Sequence, residues 1–355
     1  MADIGFKVNL VLMALNLLPL PPLDGGRVLA GLLPGNASTM LSRLEPYGFF
    51  IILALLALGV LDDLMRPLIR VAASGVNRAD LSQIAGRYPP PPGEPDILGL
   101  EVSGVVEVSG QRVCALLAGG GHAECVAAPE GQVFPVPAGL DPVAAAGIPE
   151  AFVTAFVNLV VEAGLEAGQT LLVHAGASGV GLAAIQIGRH LGARVVATTR
   201  TPEKVPALEQ AGADLALHVA NTDFAPAVAA RFGPDAVNVI LDPVGAATLP
   251  GDLAVLAPRG QVILLSTMSG ARAELDLSLL MRKRARLVGS TLRSRPREEK
   301  AALVARFRRE MLPAFESGRL SVTIDSVFAP ERAAEAFQRM RENRNVGKIV
   351  IEWAR

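Results

Sequence analysis

The sequence predicts an α/β fold whose central part is a doubly wound parallel sheet, and two observations support this. An apolar run at 170–174 leads through a glycine-rich turn into a stretch of helical periodicity at 179–191. Strand-like and helical runs then alternate, with strands at 194–198, 215–219, 237–241 and 261–265 and a helix at 202–211. Repeated strand-then-helix spacing is typical of a parallel sheet that is covered by helices on both faces.

The turn after the first strand contains Gly176, Ser178, Gly179, Val180 and Gly181. It stands where a strand leads into a helix, so backbone N–H groups and the positive end of the helix dipole point at the same place. Glycines at this position allow a ligand to approach the backbone closely. The turn therefore predicts a site for a dinucleotide pyrophosphate, and a purely structural glycine-rich loop is the alternative.

The composition of the chain indicates which kinds of partner it binds. The chain has 355 residues with a formal net charge of −1, which gives no general attraction for nucleic acid or acidic lipid. Its two cysteines, Cys114 and Cys125, form no C-x-x-C pair, so neither a disulfide framework nor a thiolate zinc site is predicted. A basic run at 282–297 fits a solvated face or a phosphate contact. We expect a small-molecule partner, no nucleic acid and a reducing, cytoplasmic compartment.

The first seventy residues differ from the rest because they hold two apolar runs, at 8–23 and 47–61. Each is at the short end of what a helix needs to cross a bilayer. They predict an N-terminal hydrophobic helical hairpin with membrane contact through residues 1–65. A packing segment or a fusion artefact is the alternative.

Within this region, Asn16, Pro19 and the triplet Leu23-Asp24-Gly25 resemble the N-x-x-P…L-D-G signature of site-2 protease family membrane metallopeptidases. The resemblance covers residues 1–68, and in that family the aspartate that matches Asp24 is a zinc ligand. The H-E-x-x-H helix that supplies the other ligands is absent from the sequence. The resemblance therefore implies a fragment with no metal site and no proteolytic activity.

Residues 71–355 resemble the zinc-independent quinone oxidoreductases of the medium-chain dehydrogenase/reductase superfamily, of the zeta-crystallin type. Besides the glycine turn, the matching segments are 71–80, 97–104, 144–150, 154–155, 241–245, 292–295 and 345–350. The resemblance implies a GroES-like substrate domain at 69–150 and 290–355 around a Rossmann NADP-binding domain at 151–289. The family's first strands and part of a loop near 108–111 lack counterparts, so we expect an incomplete GroES-like domain.

The resemblance also implies the reacting site. Asn77 and Tyr88 would line the cleft beside the nicotinamide and donate hydrogen bonds to a quinone carbonyl, and Thr154 would meet the nicotinamide ribose or ring. Each residue also has a structural alternative: Asn77 as a helix cap, Tyr88 as a loop residue and Thr154 as a packing residue. The sequence contains no zinc ligand set and no Y-x-x-x-K pair, which disfavours zinc-dependent and short-chain dehydrogenase mechanisms.

The end of the second strand of the parallel sheet predicts which coenzyme binds. NAD enzymes usually carry an acidic residue there for the ribose 2′-hydroxyl. Here the chain has Arg200 and Thr201, followed by Lys204, and the first acid comes inside the next helix. Cations and hydroxyls suit a 2′-phosphate, so NADPH is predicted.

Polar residues that follow two later strands complete the predicted cofactor site. Asp242 and Gly245 follow one strand, and Ser266 and Thr267 follow the next. Ligands bind at this carboxyl edge in doubly wound sheets. The same residue types also form simple turns. His174, at the end of a buried strand, is interpreted as a hydrogen-bonded core residue.

These observations together favour an NADPH-dependent quinone oxidoreductase that transfers hydride to a quinone or conjugated carbonyl. A 2-alkenal or enoyl reductase on the same fold is an alternative. A nucleotide-binding pseudoenzyme tethered to a membrane is another, because an incomplete substrate domain would leave the cleft without one wall. By analogy with the family we expect a homodimer, paired through an edge strand at 261–265.

Overall fold

The computed structural model describes residues 23–47, 50, 66–220 and 223–353. The chain divides into two compact units, residues 1–67 and residues 68–355. In the first unit the described elements are α1 (Asp24–Leu32), α2 (Gly35–Ser42) and a short 3₁₀-helix at Glu45–Tyr47. Most of the two predicted apolar runs lies outside the described residues.

Asp24, the residue matched to a zinc ligand, is exposed at the start of α1. No cluster of three or more metal-ligating side chains occurs among the residues that the structure describes. No described helix combines the length and the apolar character that a bilayer crossing requires.

The second unit holds two sheets and the helices around them. Its strands are β1 (Leu68–Val76), β2 (Glu101–Val106), β3 (Arg112–Leu116), β4 (Cys125–Ala127), β5 (Val133–Pro135), β6 (Thr170–Val173), β7 (Arg194–Thr199), β8 (Leu215–His218), β9 (Val237–Asp242), β10 (Leu256–Leu264), β11 (Arg286–Gly289), β12 (Ile324–Phe328) and β13 (Lys348–Glu352). Its α-helices are α3 (Arg78–Ile84), α4 (Pro142–Ala145), α5 (Pro149–Phe156), α6 (Gly179–His190), α7 (Val205–Gln210), α8 (Ala225–Phe232), α9 (Leu249–Val255), α10 (Leu277–Lys283), α11 (Arg297–Glu316) and α12 (Ala333–Arg341). A π-helical turn, Val157–Glu162, continues α5.

The first sheet has the order β12-β13-β1-β2-β3-β5, with β4 also paired to β1. All its pairs are antiparallel except the parallel pair of β12 and β13. The pairing of β13 with β1 brings the end of the chain beside residues that lie far away in sequence, with Gly75 opposite Val350. This arrangement matters for the site because both strands contribute side chains to it.

The second sheet has the order β11-β10-β9-β6-β7-β8 and is parallel throughout. The strand order reverses between β6 and β9, because β7 and β8 are added on one side of β6 and β9, β10 and β11 on the other. Ligands bind at this reversal point in such sheets. The predicted strands and the helix at 179–191 agree with the structure to within a few residues, and the doubly wound parallel sheet is confirmed. The helix predicted at 202–211 begins as a 3₁₀ turn at Pro202–Lys204 and continues as α7.

The predicted edge strand is wrong. The strand at 261–265 belongs to β10, which pairs with β9 on one side and β11 on the other. The edge is β11, a strand of four residues that sequence analysis missed. With both of its own edges occupied, β10 cannot pair with a second chain, and any dimer built on this side of the sheet would use β11.

Aromatic packing joins the two sheets into one core. Phe134 of β5, Phe156 of α5 and Phe307 of α11 are fully buried. The Phe307 ring meets the other two edge to face, with centroids 5.8 and 5.6 Å apart. Such pairs contribute about 0.5–1.5 kcal/mol each beyond the area they bury.

The basic run at 282–297 does not form one charged surface. Lys283 is buried and donates to the Leu253 carbonyl, and Arg293 is buried among backbone carbonyls. Arg295 forms an ion pair with Glu162. These cations serve as internal ties between elements.

Candidate functional site

The glycine-rich turn lies at the carboxyl end of β6, beside the point where the sheet reverses. Ala175 has a positive φ of 50°, which turns the chain sharply after the strand. Ser178 is the N-cap of α6, and its hydroxyl accepts a hydrogen bond from the Gly181 N–H at 3.0 Å. The Val180 N–H has no acceptor among the described residues. The turn thus presents a backbone donor at the positive end of a helix.

Close packing explains the three glycines. A Cβ at Gly181 would lie 2.5 Å from the Ala175 carbonyl oxygen. One at Gly176 would lie 3.1 Å from the Ala197 Cβ, and one at Gly179 would lie 2.6 Å from the Lys348 Cδ. Only Gly181 meets backbone atoms, so a side chain at that position would force the turn to open, whereas at Gly176 and Gly179 neighbouring side chains would have to move.

Beyond the next strand, β7, a group of cations gathers. Arg200 is exposed, and its guanidinium forms no ion pair among the described residues. Burial, and then the charge of the nearby Arg200, lower the pKa of Arg78 at the start of α3. The positive charges of Arg78 and Arg200 repel each other, which favours the binding of an anion between or beside the two side chains. Sequence analysis missed Arg78 because only the tertiary fold brings α3 to this strand.

The predicted residue Lys204 is bound to the protein itself. Its ammonium group donates to the carbonyl oxygens of Asn343 at 2.6 Å and Asn345 at 2.7 Å, and the side chain is buried. Burial is also the main cause that lowers its pKa. Two of its three protons are thus committed to the loop before β13. Thr201 lies next to Arg200 and donates its N–H to the Thr199 hydroxyl at 3.3 Å. For both residues the cofactor contact stays a prediction.

Asp242 holds the turn after β9. Its carboxylate accepts hydrogen bonds from the N–H groups of Val244 and Gly245 and from the Thr248 hydroxyl, and the side chain is fully buried. Gly245 has a φ of 87° and its backbone packs against the Ser266–Thr267 loop. The observed role of Asp242 is to shape this turn.

The residues expected after β10 are at the same edge. Ser266 and Thr267 are exposed and follow the end of the strand. They stand beside the loop that contains Gly245. Contacts of these loop residues with a ligand stay predictions.

Asn77 belongs to a buried network in the first sheet. Its side-chain amide donates to the Gly75 carbonyl at 3.2 Å and to Glu101 Oε1 at 2.9 Å. Its oxygen accepts from the Lys348 ammonium at 2.7 Å, which also donates to Glu101 Oε1 at 2.5 Å. Asn77 is also the N-cap of α3, and Asp80 Oδ2 accepts from its N–H. The backbone of Asn77 thus serves as the predicted helix cap, while its side chain links β1, β2 and β13.

Tyr88 lies in the loop after α3 and is half-buried. Arg293 stacks on its ring at 5.2 Å and donates to its carbonyl oxygen at 3.0 Å. The Tyr88 hydroxyl forms no hydrogen bond among the described residues. Burial, followed by the nearby Glu150 carboxyl, raises the pKa of this hydroxyl, so it remains a proton donor.

Thr154 lies one helical turn after Glu150 on α5. It is buried, and its hydroxyl oxygen has no hydrogen-bond partner among the described residues. Immediately after it, α5 widens into the π-helical turn, and Asn158 donates to the Thr154 carbonyl at 2.7 Å. Such turns occur frequently at functional sites. An unpaired buried hydroxyl costs free energy, and a ligand atom would supply the missing partner.

His174 is a core residue, as interpreted. It is 2% exposed, and its ring nitrogens bond to the Thr198 hydroxyl at 2.8 Å and to Asp252 Oδ1 at 2.7 Å. These bonds tie β6 to β7 and α9 beneath the glycine turn. Both nitrogens are occupied, which leaves neither for a substrate.

Glu101, Glu150, Lys348 and Arg78 are the polar residues of this region that sequence analysis did not predict. Glu101 is fully buried at the start of β2, and its Oε2 accepts the Glu150 N–H at 2.8 Å, so it caps α5. Of these residues, only Glu150 could have been found from the sequence. It follows Pro149 at the start of a helix, one turn before the predicted site residue Thr154.

Comparison with known protein families matches most of the second unit. Residues 66–138 match the alcohol dehydrogenase GroES-like domain, and residues 179–309 match the zinc-binding dehydrogenase family. A quinone oxidoreductase from Pongo abelii is 31% identical over 301 residues, which cover 81% of this chain and 88% of the relative. The human quinone oxidoreductase is 30% identical over 299 residues, with 80% and 88% covered.

Solved structures show the same similarity. A quinone oxidoreductase from Thermus thermophilus, also solved in complex with NADPH, is 32% identical with a TM-score of 0.69 and covers 81% of this chain and 91% of its own. A mycobacterial protein in complex with NADPH is 30% identical with a TM-score of 0.72 and the same coverage. The GroES-like family match begins at residue 66, and the resemblance of residues 1–68 to a site-2 protease stays a prediction.

Proposed function

Because this chain belongs to the medium-chain dehydrogenase/reductase superfamily, with quinone oxidoreductases among its relatives, we propose that it is an NADPH-dependent quinone oxidoreductase that works without zinc. The observation that carries the proposal is the glycine turn at the carboxyl end of β6, with Arg200 directly after the neighbouring strand β7. The buried Thr154 hydroxyl on α5, which has no partner among the described residues, supports it. On the side of the first sheet, Asn77 is bonded to Glu101 and Lys348, and the Tyr88 hydroxyl in the loop after α3 forms no hydrogen bond among the described residues.

The residues at this edge fit NADPH. The Val180 N–H and the start of α6 suit the pyrophosphate, with Ser178 and Gly179 beside them. Arg200 and Arg78 suit the 2′-phosphate, and the unpaired Thr154 hydroxyl suits the nicotinamide end. The coenzyme supplies hydride transfer, and the protein holds the two reactants together and excludes water.

On the acceptor side, Tyr88 is the available hydrogen-bond donor. Its hydroxyl would donate to the carbonyl oxygen of a quinone or enone, where negative charge develops during hydride transfer. Asn77 has both amide protons engaged with Gly75 and Glu101, so it would act on the acceptor by exchanging one of these bonds. We therefore assign the direct contact with the acceptor to Tyr88.

Oxidation of NADPH by the full-length chain tests this function. We expect turnover with ortho- or para-quinones that persists after treatment with a zinc chelator. Turnover with enals and not with quinones would assign a 2-alkenal or enoyl reductase instead. NADPH binding without turnover on any acceptor would identify the nucleotide-binding pseudoenzyme.

Arg200→Ala tests the coenzyme preference. Loss of one charged hydrogen bond to the 2′-phosphate costs about 1.5 kcal/mol, which corresponds to roughly tenfold weaker NADPH binding. NADH lacks this phosphate, so its affinity should not change. Isothermal titration with both coenzymes measures the difference.

The matched control for this variant is Arg194→Ala, which removes an exposed arginine from the other end of β7. It should leave the affinity for both coenzymes unchanged. An equal loss of NADPH and NADH affinity in Arg200→Ala would contradict recognition of the phosphate.

A further inference from the structure

The carboxyl group of Glu150 has no partner among the described residues, whereas the nearby buried acids Glu101 and Asp80 are both hydrogen-bonded. Glu150 is the second residue of α5 and is half-buried. Its backbone N–H donates to Glu101, but its side chain forms no hydrogen bond or ion pair among the described residues. By contrast, Glu101 is held by Lys348 and Asn77, and Asp80 accepts from the N–H groups of Asn77 and Gly99. The fold therefore leaves this one carboxyl available to a ligand.

The groups around it determine its protonation. From the elements packed near it, the ionisable groups that act on Glu150 are Asp80 of α3, Tyr88 of the following loop, Glu101 of β2, Arg293 of the loop before α11, Lys300 of α11 and Lys348 of β13. Lys348 is already bonded to Glu101, and Arg293 donates to three oxygens, those of the Ala118 and Tyr88 carbonyls and the Gln83 side chain. Burial, and then the Glu101 carboxylate, raise the pKa of Glu150 to about 8. At neutral pH the carboxyl therefore carries a proton.

Its position places that proton on the helix face that carries Thr154. Glu150 lies one helical turn before Thr154, so the two side chains share a face of α5. It is also close enough to Tyr88 for its charge to act on the tyrosine hydroxyl. A two-electron reduction of a quinone by hydride needs one proton as well, and Tyr88, with its raised pKa, gives one up less readily than Glu150.

We propose that the Glu150 carboxyl is the proton donor of the reaction, a role that rests on the proposed function. The hydride reduces the quinone and leaves a hydroquinone monoanion with the oxidised coenzyme. The O–H bond of Glu150 breaks, and a new O–H bond forms on the anionic oxygen of the product. The Glu150 carboxylate then takes a proton from water before the next turnover, which its partial exposure allows.

The test compares the full-length wild type with Glu150→Gln at saturating NADPH from about pH 6 to about pH 10. For the wild type we expect kcat to be constant at low pH and to fall as pH rises through about 8, because the required proton is lost. Glu150→Gln keeps the shape of the side chain but has no proton to give. It should lose roughly 10²-fold in kcat at neutral pH and should no longer show the fall near pH 8.

The choice of acceptor separates proton donation from a structural effect. An electron-poor quinone gives a weakly basic product oxygen that needs little help, whereas an alkyl-substituted quinone gives a more basic one. The loss in Glu150→Gln should therefore grow with the basicity of the product oxygen. Glu150→Asp, which retains a carboxyl, should recover part of the rate.

Glu166→Gln is the matched control, because it makes the same change at an exposed site just beyond the same helical segment. It should behave as the wild type, and NADPH affinity should be equal in all variants. If the wild type is active and Glu150→Gln is unchanged, Glu150 is not the proton donor. The same follows if the loss in kcat is equal for every acceptor and every pH. Either result would leave the reductase function standing. A wild-type chain that binds NADPH but reduces no acceptor would overturn the reductase function and this role with it.

Discussion

Lys348→Met is expected to lower the free energy of unfolding by about 3–5 kcal/mol, because it removes one member of a buried ion pair. Lys348 is 3% exposed and Glu101 is fully buried, and their charged atoms are 2.5 Å apart. Without the ammonium group, the Glu101 carboxylate stays in the interior with only neutral donors, from Asn77 and the Glu150 N–H. The pair also joins β13 to β2 across β1, so its loss loosens the strands that carry Asn77.

Urea unfolding curves of the wild type and the variant measure this effect, with the slope m checked for constancy. The double variant Glu101→Gln with Lys348→Met removes both charges and should regain much of the lost stability. Arg70→Met is the control, since the Arg70–Glu107 pair is exposed at 68% and 41% and should contribute less than about 1 kcal/mol. A Lys348→Met variant as stable as Arg70→Met would show that the buried pair contributes nothing to stability.

The parallel sheet could be predicted from the sequence because its signals are local. A strand, a glycine turn and a helix follow one another within residues 170–191, and strand-like and helical runs alternate after them. The same local logic placed Arg200 at the end of β7, where the structure has it. The edge strand β11 was missed because its four residues begin with Arg286 and follow directly on a basic helix, so they form no apolar run.

The acceptor side of the site could be predicted only in part because it depends on strand pairing. Lys348 and Glu101 lie 247 residues apart, and no spacing rule connects them. Their contact exists because β13 and β2 both pair with β1. Glu150 illustrates a different difficulty. An acidic residue in the first turn of a helix usually stabilises the helix through its dipole. The presence of a glutamate at this position therefore did not indicate a role in catalysis.

Gly181→Val is expected to abolish measurable NADPH binding by the full-length chain. A Cβ at this position would lie 2.5 Å from the Ala175 carbonyl oxygen and 2.6 Å from that of Gly176, both of which are backbone atoms. Valine adds two methyl groups beyond that Cβ, so the turn must open and the helix start must move away from the pyrophosphate. Overpacking of this kind costs typically about 1–3 kcal/mol in stability, and the fold of the sheet should survive it.

Isothermal titration with NADPH measures binding, and thermal unfolding reports whether the variant is folded. Gly289→Val is the matched control, since a Cβ at Gly289 meets nothing within 4 Å and valine is favoured in a strand. It should bind NADPH as the wild type does. Gly181→Ala adds only the Cβ and should give an intermediate loss, which separates a distorted turn from an unfolded chain. The clash is with the turn's own carbonyl groups, so relaxation of side chains cannot relieve it. A folded Gly181→Val variant that binds NADPH normally would therefore mean that the coenzyme does not use this turn.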